Sequence, residues 1–213
     1  MPSLDVPPGR KRDASRDDDL CRAALELLAE VGFGRLTIDA VAARAGAGKA
    51  TVYRRWPGKA ELVVDALSRM KAAPDRVDTG SLRGDLVEFA GHLDSGDDPF
   101  QTSVTAGLVS SLVHDADLRA AFAERFIAPR KRILRTMFER AVARGEIPSR
   151  PDFGPLADVL PALAIHRMIT TGLAPDSAFA LTLIDQVVLP LAHHSVPARD
   201  TSTPTSGRTG FPS

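Results

Sequence analysis

Apolar residues recur every three or four positions along most of this chain, the spacing that places them on one face of an α-helix. Short segments rich in Gly, Pro, Ser and Asp separate these stretches and interrupt regular structure. The periodic stretches lie at residues 17–32, 37–45, 49–56, 59–70, 81–93, 104–114, 117–144, 156–172 and 177–194. No stretch of useful length alternates apolar and polar residues as a half-buried strand does. The pattern therefore predicts an all-α fold.

Changes in composition divide the chain into four parts. Residues 1–16 combine prolines with four basic residues, which predicts a flexible basic arm that is either simply solvated or in contact with DNA phosphate or the minor groove. Residues 17–72 hold the first four predicted helices, and residues 73–194 hold the rest. Residues 195–213 are rich in Ser, Thr, Pro and Gly, which predicts a disordered tail.

Two short helices joined by a tight turn are predicted in the first helical part. The first begins at Thr37, whose hydroxyl can cap the helix, and ends before the glycine-rich turn 46–48. The second, residues 49–56, has only Val52 and Trp56 on its buried edge. Its other side chains are basic, hydroxylated or aromatic, which suits contact with phosphates and base edges. Two helices across such a turn form a helix-turn-helix, whose second helix enters the major groove.

Candidate DNA contacts follow from this arrangement. Lys59 stands in the first turn of the next helix, where a phosphate would satisfy both its ammonium group and the free N–H groups of the helix start. The alternative is a lysine that is simply solvated. The residues predicted to bind DNA are Thr37, Lys49, Thr51, Tyr53, Arg54, Arg55 and Lys59.

This stretch resembles the DNA-binding region of the TetR/AcrR-type bacterial transcriptional regulators. The matching residues are Gly32-Phe33, Thr37, Ala42-Ala43-Arg44-Ala45-Gly46, Thr51-Val52-Tyr53, Trp56 and Lys59. The ordered match covers residues 18–70. The chain departs from the family at Gly48, where the family commonly has Ser or Thr; a glycine N-cap supplies no side-chain oxygen.

The resemblance implies a sequence-specific regulator, usually a repressor, that a small molecule releases from a double-stranded DNA operator. It also implies that the helical region 73–194 binds this effector and forms a homodimer through the last two helices. The alternative is that these two helices cover the chain's own core. The aliphatic and aromatic side chains available there favour an apolar or amphipathic effector. The candidate effector-binding residues are Phe89, Leu108, Phe122, Phe126, Met137 and His166. Each of these is also compatible with a plain core position.

Composition limits the alternatives. The 27 basic and 27 acidic residues cancel, so affinity for nucleic acid has to come from local charge. A single cysteine, Cys21, excludes an intrachain disulfide framework and a cysteine-based metal cluster. No segment approaches the ~20 apolar residues of a membrane span, and no secretory signal begins the chain. We expect a cytoplasmic protein without a metal or cofactor.

Two other functions compete with a DNA-binding regulator. An enzyme is disfavoured because residues 46–51 only superficially resemble a phosphate-binding loop: Ala43 and Ala50 stand where that motif needs Gly and Ser or Thr. A helical ligand-binding or interaction protein without DNA binding is the other alternative. Gly48 slightly favours it, whereas Thr51, Tyr53 and Lys59 disfavour it.

Overall fold

A computed structural model describes residues 8–74, 76–92, 98–149, 152–173 and 176–194, with side chains from residue 15 onward. Over these residues the chain is helical and contains no strand, which confirms the predicted all-α fold. The helices are α1 (Pro8–Arg35), α2 (Ile38–Arg44), α3 (Lys49–Tyr53), α4 (Lys59–Met70), α5 (Leu82–Gly91), α6 (Pro99–Leu112), α7 (Ala116–Phe122), α8 (Ala128–Ala143), α9 (Gly154–Thr171), α10 (Ser177–Leu183) and α11 (Leu189–His193). None of these helices is both long and apolar enough to cross a membrane.

The first helix begins earlier than the sequence pattern indicated. We expected residues 1–16 to be a flexible arm, but α1 starts at Pro8, so the described part of that arm is helical. Proline is favourable as a first helical residue, because its fixed φ suits the helix and its missing N–H would have no partner there. Residues 1–7 lie outside the described residues. As predicted, Gly32 ends the regular part of α1, with a φ of 73° that breaks the helical geometry.

The first hydrophobic core joins the predicted DNA-binding helices to part of the C-terminal region. Apolar residues of α1 to α4 form it together with Val104 and Leu108 of α6 and Leu118 of α7. The packing of α1 against α6 is especially close, since a Cβ atom on Gly107 would lie only 2.6 Å from the carbonyl oxygen of Leu28. The helices α6 and α7 thus pack with the N-terminal part, although they follow the boundary predicted near residue 72.

A second core lies among α5, α8, α9 and the last helices. Its fully buried members include Leu86, Met137 and Phe138, and Asp85 is buried beside them. The Asp85 carboxylate accepts a hydrogen bond from Arg140 at 3.1 Å and from the backbone N–H of Thr79 at 2.6 Å. These bonds compensate the burial of a charged group.

Two π-helical segments interrupt the long C-terminal helices. Ala123–Ile127 connects α7 to α8, and Ile184–Val188 connects α10 to α11. Each segment ends two residues before a proline, Pro129 or Pro190. Proline cannot donate the i→i−4 hydrogen bond of a regular helix, which explains why the pattern changes there. The segment before Pro129 leads the chain from Phe126, which packs against the first core, to Leu134 of the second core.

The remaining predictions of elements lie close to the observed bounds. Ser81 caps α5, and its hydroxyl accepts the N–H of Gly84 at 3.1 Å. The loop predicted at 145–155 ends two residues earlier, because α9 begins at Gly154 with Pro155 in its first turn. The predicted tail at 195–213 lies outside the described residues.

Candidate nucleic-acid interface

The turn between α2 and α3 has the geometry that glycine permits. Gly46 has a φ of 60°, which other residues rarely adopt. Its N–H donates to the carbonyl of Ala43 at 3.2 Å, and the N–H of Ala47 donates to Ala42 at 2.8 Å. These two bonds form a Schellman motif, which satisfies the last carbonyls of α2 and redirects the chain. At the other end of α2, the Thr37 hydroxyl accepts the N–H of Ala40 at 3.2 Å, as predicted for an N-cap.

The recognition helix α3 is shorter than predicted. It covers Lys49–Tyr53, and a turn continues to Trp56, whose N–H donates to Val52 at 3.0 Å. Pro57 disfavours a helical conformation at Trp56, the residue predicted to end this helix. The N-cap, Gly48, makes no side-chain capping bond, so the predicted loss of a cap is observed.

Two buried side chains hold α3 against its support. Val52 is fully buried and Trp56 is 3% exposed. The indole N–H of Trp56 donates to the Asp65 carboxylate on α4 at 3.0 Å, so its burial leaves no polar group unsatisfied. The outward face of α3 is therefore fixed relative to α4.

The outward face carries several of the predicted contacts. Tyr53 is 56% exposed, and Arg54 and Lys49 are also exposed. Thr51 is half-buried, and its backbone N–H donates to Gly48 at 2.9 Å. The arrangement places an aromatic ring, a guanidinium group and an ammonium group on one solvent-facing surface beside a hydroxyl group. Such a surface can donate to phosphates and base edges.

Acidic residues from other helices partner two of the predicted cations. Lys49 lies 2.6 Å from the exposed Asp39 carboxylate, and this hydrogen bond raises the pKa of the lysine. Arg55 lies 2.5 Å from Asp17, whose side chain is 12% exposed. Asp17 lies in the interior of α1 and supports Arg55 from there. Arg55 therefore holds α1 and the turn after α3 together.

Lys59 occupies a different environment from the one predicted. Its ammonium group donates to the carbonyl of Phe33 at 3.1 Å and lies 3.4 Å from that of Leu36. It also lies 4.4 Å from the centroid of the Phe33 ring, in a cation–π contact. Lys59 thus holds the segment between α1 and α2, and its contact with a phosphate stays a prediction.

A mostly apolar cavity of about 370 Å³ lies between α5, α8, α9 and α10. Of the residues predicted to bind an effector, Phe89 and Phe126 line it. The other four lie elsewhere: Leu108 and Phe122 pack with the first core, Met137 is fully buried in the second core, and His166 is exposed on α9. Regular spacing had placed all of them on apolar faces, but it does not distinguish a core from a cavity wall.

Sequence reasoning missed a buried charged residue of this cavity wall. Arg130 lines the cavity and is 7% exposed. A signal was present in the sequence, because Arg130 stands four residues after Phe126 and four before Leu134, on the apolar stripe of its helix.

The fold and the exposed α3 define a helix-turn-helix protein with an attached helical domain, the class of DNA-binding transcription regulators. Comparison with known families agrees. Residues 20–66 match the family described as "Bacterial regulatory proteins, tetR family", and residues 76–187 match the "Tetracyclin repressor-like, C-terminal domain". The chain therefore belongs to the TetR family, as its motif indicated.

Relatives of known sequence and structure support this assignment. An uncharacterized HTH-type transcriptional regulator of Mycobacterium tuberculosis is 38% identical over 178 residues, which are 82% of this chain and 87% of the relative. The DNA-binding transcriptional repressor TetR of Mycobacteroides abscessus is 36% identical over 182 residues, 84% of this chain and 95% of that protein. A crystal structure of a TetR family transcription regulator aligns with a TM-score of 0.59 at 28% identity, covering 80% and 94% of the two chains.

Proposed function

We propose that the chain is a homodimeric repressor that binds a near-palindromic operator through α3 and releases it when a small apolar or amphipathic molecule occupies the cavity. The observation that carries the proposal is the fixed position of α3: buried Val52 and Trp56 hold it, and exposed Tyr53 and Arg54 face outward. The cavity supplies a place for the effector. No catalytic role is needed for this function, and a DNA target implies the bacterial cytoplasm.

Dimerisation through the last helices is part of the proposal. Large apolar side chains are exposed on α9, α10 and α11 or directly after them: Ile169, Leu173, Leu181 and Leu191. Helix-turn-helix dimers bind half-sites about 34 Å apart or at multiples of that distance. Because a ligand shifts an equilibrium only through its different affinity for two states, the effector has to favour the spacing that does not fit the operator.

The direct test is binding of the purified chain to a duplex from the region upstream of its own gene, measured by fluorescence anisotropy. If the dimer makes about 6–10 phosphate contacts, affinity should fall about 10³–10⁵-fold between 50 and 200 mM salt. A folded dimer that binds no genomic duplex, or binds without salt dependence, would favour the ligand-binding protein without DNA binding.

The same measurement tests the predicted phosphate contact of Lys59. Replacing Lys59→Gln should lower the slope of log affinity against log salt by about one in magnitude for each phosphate that the dimer no longer neutralises. Arg132→Gln is the control, since Arg132 is exposed on α8 away from α3. An unchanged slope in Lys59→Gln, with weaker folding stability, would assign Lys59 only to its bonds with the carbonyl groups of Phe33 and Leu36.

A further inference from the structure

The cavity wall carries one cation that no described carboxylate balances. Lys131 lies 2.9 Å from Asp158, and Arg167 lies 2.8 Å from Asp176, so these charges cancel in pairs. Arg130 has no carboxylate oxygen within 4.0 Å among the described residues. Both carboxylates of the wall, Asp158 and Asp176, are thus paired with other cations, which leaves the charge of Arg130 without a counter-charge among the described residues.

The described contacts of Arg130 are one aromatic ring and two backbone carbonyls. Its guanidinium carbon lies 3.5 Å from the centroid of the Phe126 ring, in a stacked cation–π contact. The guanidinium donates to the carbonyl of Phe126 at 2.8 Å and to that of Lys71. Its Nε is buried and has no hydrogen-bond partner among the described residues. Burial lowers the pKa of Arg130 to about 10, which still leaves the group charged at neutral pH.

A buried charge of this kind is unfavourable until a counter-charge approaches it. A carboxylate matches the flat fork of a guanidinium with two parallel hydrogen bonds. Stacking on Phe126 occupies a face of the guanidinium and not its edge, where each terminal nitrogen keeps a second N–H beside the one that donates to a carbonyl. A neutral ligand would leave the charge unbalanced, and a cation would be repelled. The rest of the wall, with Phe89, Phe179 and Leu183, suits an aryl or alkyl group.

We infer that the effector is an organic monoanion: a carboxylate that pairs with Arg130 and carries an apolar aryl or alkyl body into the cavity. This inference rests on the proposed function and names the chemical class of its effector. A cavity of about 370 Å³ lies within the range of about 300–1,000 Å³ that is typical of small-molecule sites.

The position of Arg130 also connects the cavity to the DNA-binding helices. Lys71, whose carbonyl accepts from Arg130, is the C-terminal cap of α4. A carboxylate that draws the guanidinium toward the cavity competes with this carbonyl. Effector binding would thereby loosen the end of α4, the helix that holds Trp56 through Asp65.

The test uses the full chain and a series of ω-phenylalkanoates with acid groups of two to five carbons, each compared with its primary amide and with the matching amine. Isothermal titration calorimetry should show the best acid binding at least 10-fold more tightly than its amide, with no detectable binding of the amine. An ionic hydrogen bond of ordinary strength gives about 10–100-fold. Equal binding of acid and amide, tighter binding of the amine, or no binding of any acid would overturn the inference.

Variants then assign the discrimination to one residue. Arg130→Gln should lose the preference for the acid, so that acid and amide bind equally, whereas Arg130→Lys should retain part of that preference. Arg132→Gln, an arginine of the same helix that does not line the cavity, should behave as the wild type. If Arg130→Gln fails to fold, Arg130→Lys is compared with the wild type instead. Full preference for the acid in Arg130→Lys, together with loss of that preference in Arg132→Gln, would contradict the assignment to Arg130.

Release of DNA separates the two proposals. The acid, but not its amide, should dissociate the wild-type complex with its upstream duplex. Failure of the chain to bind that duplex would refute the proposed function. A stable complex that no acid dissociates would refute the inference alone.

Discussion

Arg54 and Arg55 are neighbours in the sequence, yet the structure gives them opposite surroundings. Arg54 is exposed after α3, while Arg55 is 27% exposed and pairs with Asp17 of α1. Both were predicted to bind DNA from their position beside α3. Pattern alone could not separate them, because the partner of Arg55 lies 38 positions earlier in the chain.

Because of this difference, we expect replacement by alanine to affect stability more at Arg55 than at Arg54. Arg55→Ala should lower the free energy of unfolding by about 1–2 kcal/mol, because the largely buried Asp17 carboxylate would lose the guanidinium group of Arg55. Arg54→Ala should change it by less than about 0.5 kcal/mol. Urea denaturation of the two variants gives the comparison, and equal stability of both would show that the ion pair contributes little.

In DNA binding, we expect Arg54→Ala to have the larger effect and Arg55→Ala the smaller one, the reverse of their effects on stability. Arg54→Ala should change which operator bases are preferred, at a cost of about 1–3 kcal/mol for each base that the side chain no longer reads. We expect Arg55→Ala to affect operator choice less once its folding is accounted for. Anisotropy titrations against operator variants give the ranking, and a stronger change of preference in Arg55→Ala would contradict it.

At the scale of single elements, the two glycines before α3, Gly46 and Gly48, differ in backbone conformation. Gly46 needs a positive φ for the Schellman turn, whereas Gly48 has φ −81° and ψ 148°, which any residue can adopt. No atom lies within 4 Å of a Cβ built on either glycine, so backbone conformation alone distinguishes them.

We therefore predict that Gly46→Ser destabilises the chain by about 1 kcal/mol or more, because a side chain is strained at positive φ. Gly48→Ser should be neutral or stabilising by a few tenths of a kcal/mol, because serine restores an N-cap hydroxyl. Thermal unfolding of the pair is the measurement. A stability loss in Gly48→Ser as large as that in Gly46→Ser would contradict this account.

Much of the element order follows from local patterns. Apolar spacing located most helices within a few residues, and Thr37 and Ser81 marked helix starts because hydroxyl caps act locally. The start of α1 was not predicted, because a proline such as Pro8 can either break a helix or begin one. The DNA-binding site could be predicted from the sequence where it depends on the residues of α3 alone. The bonds from Lys59 to Phe33 and Leu36 were not, because they join residues more than 20 positions apart.

At the scale of the whole molecule, the division into two cores differs from the division along the sequence. Periodicity shows which face of a helix is buried but not which partner covers it. This is why the pattern could not assign α6 and α7 to the core of the DNA-binding helices. It is also why Met137 could not be distinguished from Phe126 as a cavity residue.

The proposed dimer gives the prediction that belongs to this scale. Leu181→Glu places a charge among the exposed apolar residues of the last helices and should yield a monomer by light scattering. Operator affinity should fall at least about 100-fold, because the second half-site would no longer be bound intramolecularly. Val113→Glu is the matched control: Val113 is 74% exposed at the end of α6, away from those helices. If the Leu181→Glu variant is still a dimer, the dimer interface lies elsewhere on the molecule.

The π-helical segment Ala123–Ile127 has a consequence for exchanging parts between relatives. A π turn holds roughly one residue more than an α turn, since its bonds join i and i+5. A chimaera that lacked this extra residue would begin α8 about 100° further round its axis, the rotation per residue of an α-helix. Arg130 would then leave the cavity wall, although every side chain on both sides of the junction had been retained. Domain grafts within this family therefore have to match residue number across the junction as well as sequence.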